Sequence, residues 1–232
     1  MEHIDAPFHT RGESEYVDDV SPPSDMLHAA VFGSPYAHGE IESLDVEPAL
    51  QLDGVVAVFT ADDIPGDNNI GPILADEGML ADGEVTYIGE PVAFVVAQTH
   101  AIARDAVEHI ELEVDQREVV VDPREAHSKG DTISTPRTFA LGDVDDAFED
   151  CDVVVEGDCE IAGQEHLYLE TNRARALPEE GERVKLFSST QSPYNVQRAV
   201  ANILGVEEHM VEVDVKRLGG GFGGKEDQAT QF

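Results

Sequence analysis

Along the chain, apolar residues fall into short runs whose spacing alternates between strand-like and helix-like periods. Residues 26–33 (MLHAAVFG), 40–46 (EIESLDV) and 55–60 (VVAVFT) have strand length, and β-branched residues recur in them. Between the last two, EPALQLDG predicts a short helix stopped by Gly54. Residues 91–97 (PVAFVVA) are nearly continuous in apolar character, the pattern of a strand covered on both faces. A helix is predicted over 99–110, where Ile102, Ala106 and Ile110 recur four apart and Thr99 supplies an N-cap. ELEV and REVVV then predict two more short strands.

Residues 127–138 (HSKGDTISTPRT) lose this pattern and gather Ser, Thr, Gly and Pro, which predicts a linker. The expected organisation is therefore one unit over 1–126, a linker over 127–138 and a second unit over 139–232. In the second, DVDDAFEDC predicts a short acidic helix from 143, with strands at about 151–161, 165–177 and 183–189. A helix is predicted from Ser192 as N-cap, with Pro193 at its first position. Val196, Ala199, Val200, Ile203 and Leu204 form its apolar stripe and Gly205 its stop. Val211, Val213 and Val215 then alternate with polar residues in a strand that runs into Gly219-Gly220-Gly221-Phe222-Gly223-Gly224-Lys225-Glu226. The mixture of separate strands and packed helices predicts an α+β fold.

Charge adds a constraint that the pattern does not contain. The 232 residues carry 49 acidic and 14 basic side chains, a formal net charge of -35, distributed over every segment. Such a field repels nucleic-acid phosphates and anionic lipid. Self-repulsion of this size is tolerable where salt screens it, which leads to the expectation of a cytoplasm of high salt. No run reaches the roughly 18 apolar residues of a spanning helix. The opening MEHIDAPFHTRGE lacks the basic and apolar regions of an export signal, so no membrane association or export is expected. Cys151 and Cys159, the only cysteines, are too few for a thiolate metal site or a four-cysteine iron–sulfur cluster and are expected to be free and partly buried.

Five glycines within six positions after a strand mean that the backbone approaches something closely or turns left-handed. A phosphate-binding P-loop fits Gly219, Gly224 and Lys225, but Glu226 stands where a magnesium-binding hydroxyl belongs. The dinucleotide fingerprint fits Gly219, Gly221 and Gly224, yet lacks the helix, second strand and acidic residue that complete it. A tight turn without a ligand is the plain structural alternative.

The whole string GGGFGGKED is more specific, and it resembles the cofactor loop of the xanthine dehydrogenase and aldehyde oxidase family. GQEHLYLET at 163–171, STQSP at 189–193 and RGESEYVDDV near the start resemble further segments of that family in order, as do MLHAAVFGSPYAH, DGVVAVFTADDIPG and YIGEPVAFVVA. The resemblance implies a hammerhead-type α/β domain followed by the start of a molybdopterin-cofactor-binding domain. It implies that Gln164 hydrogen-bonds an oxygen ligand of the molybdenum, although a buried amide serving nearby backbone would look the same. Gly221, Phe222 and Gly223 would offer backbone N–H groups to the cofactor, so that Gln164 and Phe222 are the residues nearest the metal. Glu226 would contact an aza-heterocyclic substrate such as a purine; its alternative role is an acidic residue at a helix start. Lys225 and Asp227 are read as solvated. His166, Tyr168 and Glu170 alternate on one strand face, where core packing outweighs a metal site, and the histidines at 3, 9, 28 and 38 show no metal pairing.

Members of the family are several hundred residues longer. Their glutamate base, their pocket arginine and most of their cofactor contacts have no counterpart here. The resemblance therefore places no catalytic residue in this chain, which is expected to be inactive alone. It implies as partners the remaining part of the molybdopterin subunit, an iron–sulfur subunit carrying 2Fe-2S and a subunit carrying FAD. The rival expectations are a non-catalytic remnant or interaction module of the same fold, and an aldehyde-oxidising member.

Overall fold

The computed structural model describes residues 3–226. Two compact units emerge: Met1–Arg117 with His166–Phe232, and Glu118–Glu165. The elements of the first are α1 (Ala6–Arg11), β1 (His28–Gly33), β2 (Gly39–Asp45), α2 (Glu47–Leu50), β3 (Val55–Phe59), β4 (Glu84–Val85), β5 (Pro91–Ala97), α3 (His100–Val107) and β6 (Glu111–Gln116). The second unit holds α4 (Pro123–Lys129) and α5 (Val144–Glu149). The chain then returns to the first unit with β7 (Ala174–Glu179), β8 (Arg183–Ser188), α6 (Pro193–Leu204) and β9 (Val211–Asp214). The fold is α+β, as the pattern predicts.

Among the described residues, three three-stranded sheets organise the larger unit, in the orders β1-β5-β3, β4-β2-β6 and β7-β8-β9. The continuous apolar run is the central strand of the first sheet, which explains why it needs no polar face. Ala93 and Val95 pack with Ala49, Ala106 and Ile110 on one side, while Val92 joins Ala81, Val85 and Leu112 in a second cluster. Thr99 caps α3 as predicted, its hydroxyl accepting the Ile102 N–H at 3.2 Å. The buried stripe of α3 is centred on Ala103 and Ala106, and Ile110 lies beyond the helix end.

α6 begins at Pro193 and ends against Gly205 as the sequence predicts. Ser192 is not a capping side chain, however. The hydroxyl of Thr190 accepts the Ser192 N–H instead, at 2.9 Å. The last carbonyls of α6 are met by a distant loop: Gly66 N–H donates to Ile203 O and Asp67 N–H to Asn202 O, both at 2.9 Å. A methyl group at Gly66 would overlap the Asn202 carbonyl and sit 2.6 Å from Gly205 N. Because these are backbone atoms, Gly66→Ala is expected to cost about 3 kcal/mol, the upper end of overpacking. That corresponds to a Tm lower by roughly 6–12 °C. Gly157→Ala, which meets open space, should leave Tm unchanged; equal melting of the two variants would refute the contact argument.

The smaller unit departs most from its sequence pattern. Asp143 caps α5 by accepting the Asp145 and Asp146 N–H groups, and α4 runs into the stretch read as a linker. Lys129 bridges Glu118 and Glu125, each at 2.8 Å, and these carboxylates raise its pKa. The strand expected at 151–161 is absent, and the one expected at 165–177 begins only at Ala174, where β7 pairs with β8. A strand needs a ladder partner, and 151–161 has none among the described residues; Val155 is 88% exposed. REVVV likewise forms no strand after β6. Cys151 and Cys159 are free, as expected, but exposed and not partly buried.

Candidate functional site

The glycine loop owes its neighbours to one topological fact. β7 and β8 are antiparallel, but β8 and β9 run parallel, joined through α6. Segments leaving the ends of parallel neighbours emerge at the same sheet edge, where α/β proteins bind ligands. The residues after β8 therefore meet those after β9. Gln191 N–H donates to Lys225 O at 2.7 Å, and Thr190 Oγ1 donates to the same oxygen at 3.2 Å. Gln191 Oε1 accepts the Gly223 N–H at 2.9 Å and, more weakly, the Lys225 N–H at 3.4 Å.

Within the loop, Gly224 N–H closes a turn on Gly221 O at 2.7 Å. Phe222 lies in the left-handed region with φ 53° and is 75% exposed. A bulky residue rarely adopts this conformation, and the strain persists only where surrounding contacts impose it. A side chain at Gly221 would overlap Gln191 Oε1, and one at Gly224 would come within 2.9 Å of both His166 and Tyr168. Close approach thus requires glycine at both places. The N–H groups of Gly220, Gly221 and Phe222 have no hydrogen bond to another described residue. Gly221 is buried. Adjacent unpaired N–H groups on an enforced backbone form a donor site for negatively polarised oxygen, and the donor set fits a group that presents such oxygen.

The expectation for His166, Tyr168 and Glu170 changes. They lie on no strand, and His166 is exposed, so core packing does not describe it. Their common side faces the glycine loop: the rings of His166 and Tyr168 stand 6.1 Å apart beside Gly224, and Glu170 Oε2 accepts the Gly219 N–H at 2.8 Å. Among the described residues no three His, Cys, Asp or Glu side chains are grouped to hold a metal. His3 and His9 do form a tilted ring pair, at 5.9 Å.

Lys225 is not solvated. It is 0% exposed, with Nζ 3.3 Å from Glu170 Oε2 and 4.7 Å from the centre of the Tyr168 ring. Asp227 lies outside the described residues. Glu226 is exposed at the loop's end. Gln164 belongs to the smaller unit, where it is exposed and, among the described residues, its amide donates only to the neighbouring Gly163 O, at 3.2 Å. Gly223, expected to offer its N–H outward, gives it to Gln191. Gln191 itself was not singled out by the sequence; its signal was only the STQSP resemblance.

Comparison with known proteins covers both halves of the chain. Residues 11–118 match the family model described as aldehyde oxidase and xanthine dehydrogenase, a/b hammerhead domain, and residues 126–232 match the molybdopterin cofactor-binding domain. Xanthine dehydrogenase 1 of Arabidopsis thaliana is 38% identical over 98% of this chain, and aldehyde oxidase 2 of Cavia porcellus 35% identical over 99%. The chain spans 17% of the length of each of these relatives. In structure it resembles quinoline 2-oxidoreductase from Pseudomonas putida 86, with a TM-score of 0.84 and 29% identity, covering 99% of this chain and 32% of that one. No helix among the described residues is long and apolar enough to cross a membrane.

Proposed function

Because the chain belongs to the xanthine dehydrogenase and aldehyde oxidase family, we propose that it is the N-terminal part of a molybdopterin-binding subunit and serves a molybdenum hydroxylase acting on a purine-like or other aza-heterocycle. The observation that carries this reading is the strained loop at Phe222, whose unpaired N–H groups at Gly221 and Phe222 are held in place by Gln191. When bound, the molybdenum–molybdopterin cofactor supplies the two-electron oxidation, with the added oxygen drawn from water. The residues of this chain bind and orient. Gly221 and Phe222 donate backbone N–H groups to the cofactor, while Gly223, with φ 92°, shapes the turn. Gln164 offers a neutral amide to an oxygen of the cofactor. Glu226 accepts a hydrogen bond from a ring N–H of the substrate.

The base, the remaining cofactor contacts and the substrate pocket belong in this proposal to the remaining part of the subunit. Exposed apolar positions such as Val153, Val155 and Ile161 support further polypeptide packing here. Electrons leave through 2Fe-2S and FAD centres on partner subunits. The acidic surface supports work in a high-salt cytoplasm. An aldehyde substrate is the second reading, favoured by the 35% identity to an aldehyde oxidase; Glu226 is the residue that argues against it.

The test is to isolate the chain from its host with the polypeptides that accompany it. The complex is expected to contain stoichiometric molybdenum and to oxidise xanthine, hypoxanthine or nicotinate with a dye acceptor. The chain expressed alone is expected to do neither. A native complex devoid of molybdenum would defeat the proposal.

A further inference from the structure

We infer that Glu170 and Lys225 are positioning residues, a buried ion pair that ties both ends of the glycine loop to one carboxylate oxygen and so sets where the Phe222 N–H points. This rests on the proposed cofactor role only for what the loop presents; the tie itself is a statement about this chain.

Glu170 Oε2 receives two donors: the Gly219 N–H at 2.8 Å and the Lys225 ammonium at 3.3 Å. Gly219 opens the loop and Lys225 closes it, so a single atom brackets the segment between them. The Glu170 N–H also donates to Gly219 O at 3.1 Å, which fixes the opening residue from both of its backbone groups. At the closing end, Lys225 O is held by Gln191 and Thr190. Tyr168 lies under the ammonium, and its hydroxyl accepts from Asn172 Nδ2 at 3.2 Å, so the ring is itself anchored.

The pair is an expensive way to close a loop. Taking both charges out of water costs more than packing two apolar side chains of the same volume, and Glu170 Oε1 stays buried with no hydrogen-bond partner among the described residues. What the pair provides, and an apolar contact does not, is direction: an ammonium on a carboxylate oxygen fixes the loop's register. Lys225 is 0% exposed and the Glu170 side chain 10%, so solvent does not loosen it. The strain at Phe222 needs such a restraint at both ends.

The experiment separates positioning from bulk stability. Lys225→Met keeps the length of the side chain but leaves the Glu170 carboxylate buried alone, and it is expected to lower Tm. The double variant Glu170→Gln with Lys225→Met removes both charges, and its Tm should return towards that of the unmodified chain. Hydrogen exchange of the amides at 223–225 is expected to remain roughly tenfold or more faster in the double variant. Exchange across β5, which reports global opening, should match the unmodified protein. Loop exchange that recovers together with Tm would overturn the inference, because the pair would then be only a stability element. In the assembled enzyme, the double variant should lose molybdenum several-fold relative to the unmodified form. Fast loop exchange with molybdenum fully retained would overturn the loop's cofactor role and leave the tie standing. The two failures are therefore distinct.

Discussion

Replacing Glu226 with valine in the assembled enzyme is expected to lower kcat/KM for a purine-like substrate by roughly 10- to 150-fold. The magnitude is that of one hydrogen bond to a charged acceptor, about 1.5–3 kcal/mol of transition-state binding. Glu226 is exposed at the end of the loop, one residue beyond the buried Lys225, so its side chain can change without disturbing the Glu170 tie or the Gln191 bonds. Molybdenum content should stay constant for that reason. The loss is expected to be selective: a simple aldehyde has no ring nitrogen to contact, and its oxidation should change little or improve. Gln164→Ala should instead slow both substrates, since its proposed contact is with the cofactor. Equal slowing of aldehyde and purine by Glu226→Val, at unchanged molybdenum, would remove the basis for assigning a heterocyclic substrate.

The features legible in the sequence are those that depend on near neighbours. The apolar run at 91–97 declares a central strand because both of its faces need cover, and the structure places it between β1 and β3. The i, i+3, i+4 stripe of α6 is equally local, and Val196 is fully buried. The glycine string announces close approach by itself. Three features were not legible, each for a tertiary reason. Lys225 reads as solvated because its counter-ion, Glu170, lies 55 positions earlier and only the fold brings it near. Gln191 has no pattern of its own; its role follows from β8 and β9 being parallel. The alternation at 151–161 has the right period for a strand, but a ladder needs a second backbone, and none is present among the described residues. His166, Tyr168 and Glu170 fall between these cases. Their alternation correctly places them on one side, while the surface they meet is the loop and not a core.

Raising KCl from about 0.01 M to about 2 M is expected to raise the Tm of the chain by on the order of 10–20 °C, as screening shortens from roughly 30 Å to a few Å. The chain carries 49 acidic against 14 basic side chains, a net of -35. Two like charges about 10 Å apart in water repel by roughly 0.4 kcal/mol. Tens of such neighbour pairs amount to several kcal/mol of repulsion that salt removes, at about 2–4 °C of Tm for each. The existing ion pairs offset little of this. Lys129 and Lys185 each bridge two acidic side chains, so even the paired regions stay net negative. Exposed pairs of this kind contribute little to stability in any case. Screening also has a signature that separates it from the general strengthening of apolar burial by excluded salts. KCl and KBr at equal ionic strength should act alike if charge is the cause, and differently if exclusion is. Converting exposed Asp145, Asp146, Glu149 and Asp152 to their amides should flatten the salt dependence and raise Tm most at low salt. A melting temperature indifferent to KCl, or one that follows the anion, would mean that the acidic surface answers to something other than salt, and the proposed high-salt cytoplasm would lose its physical basis.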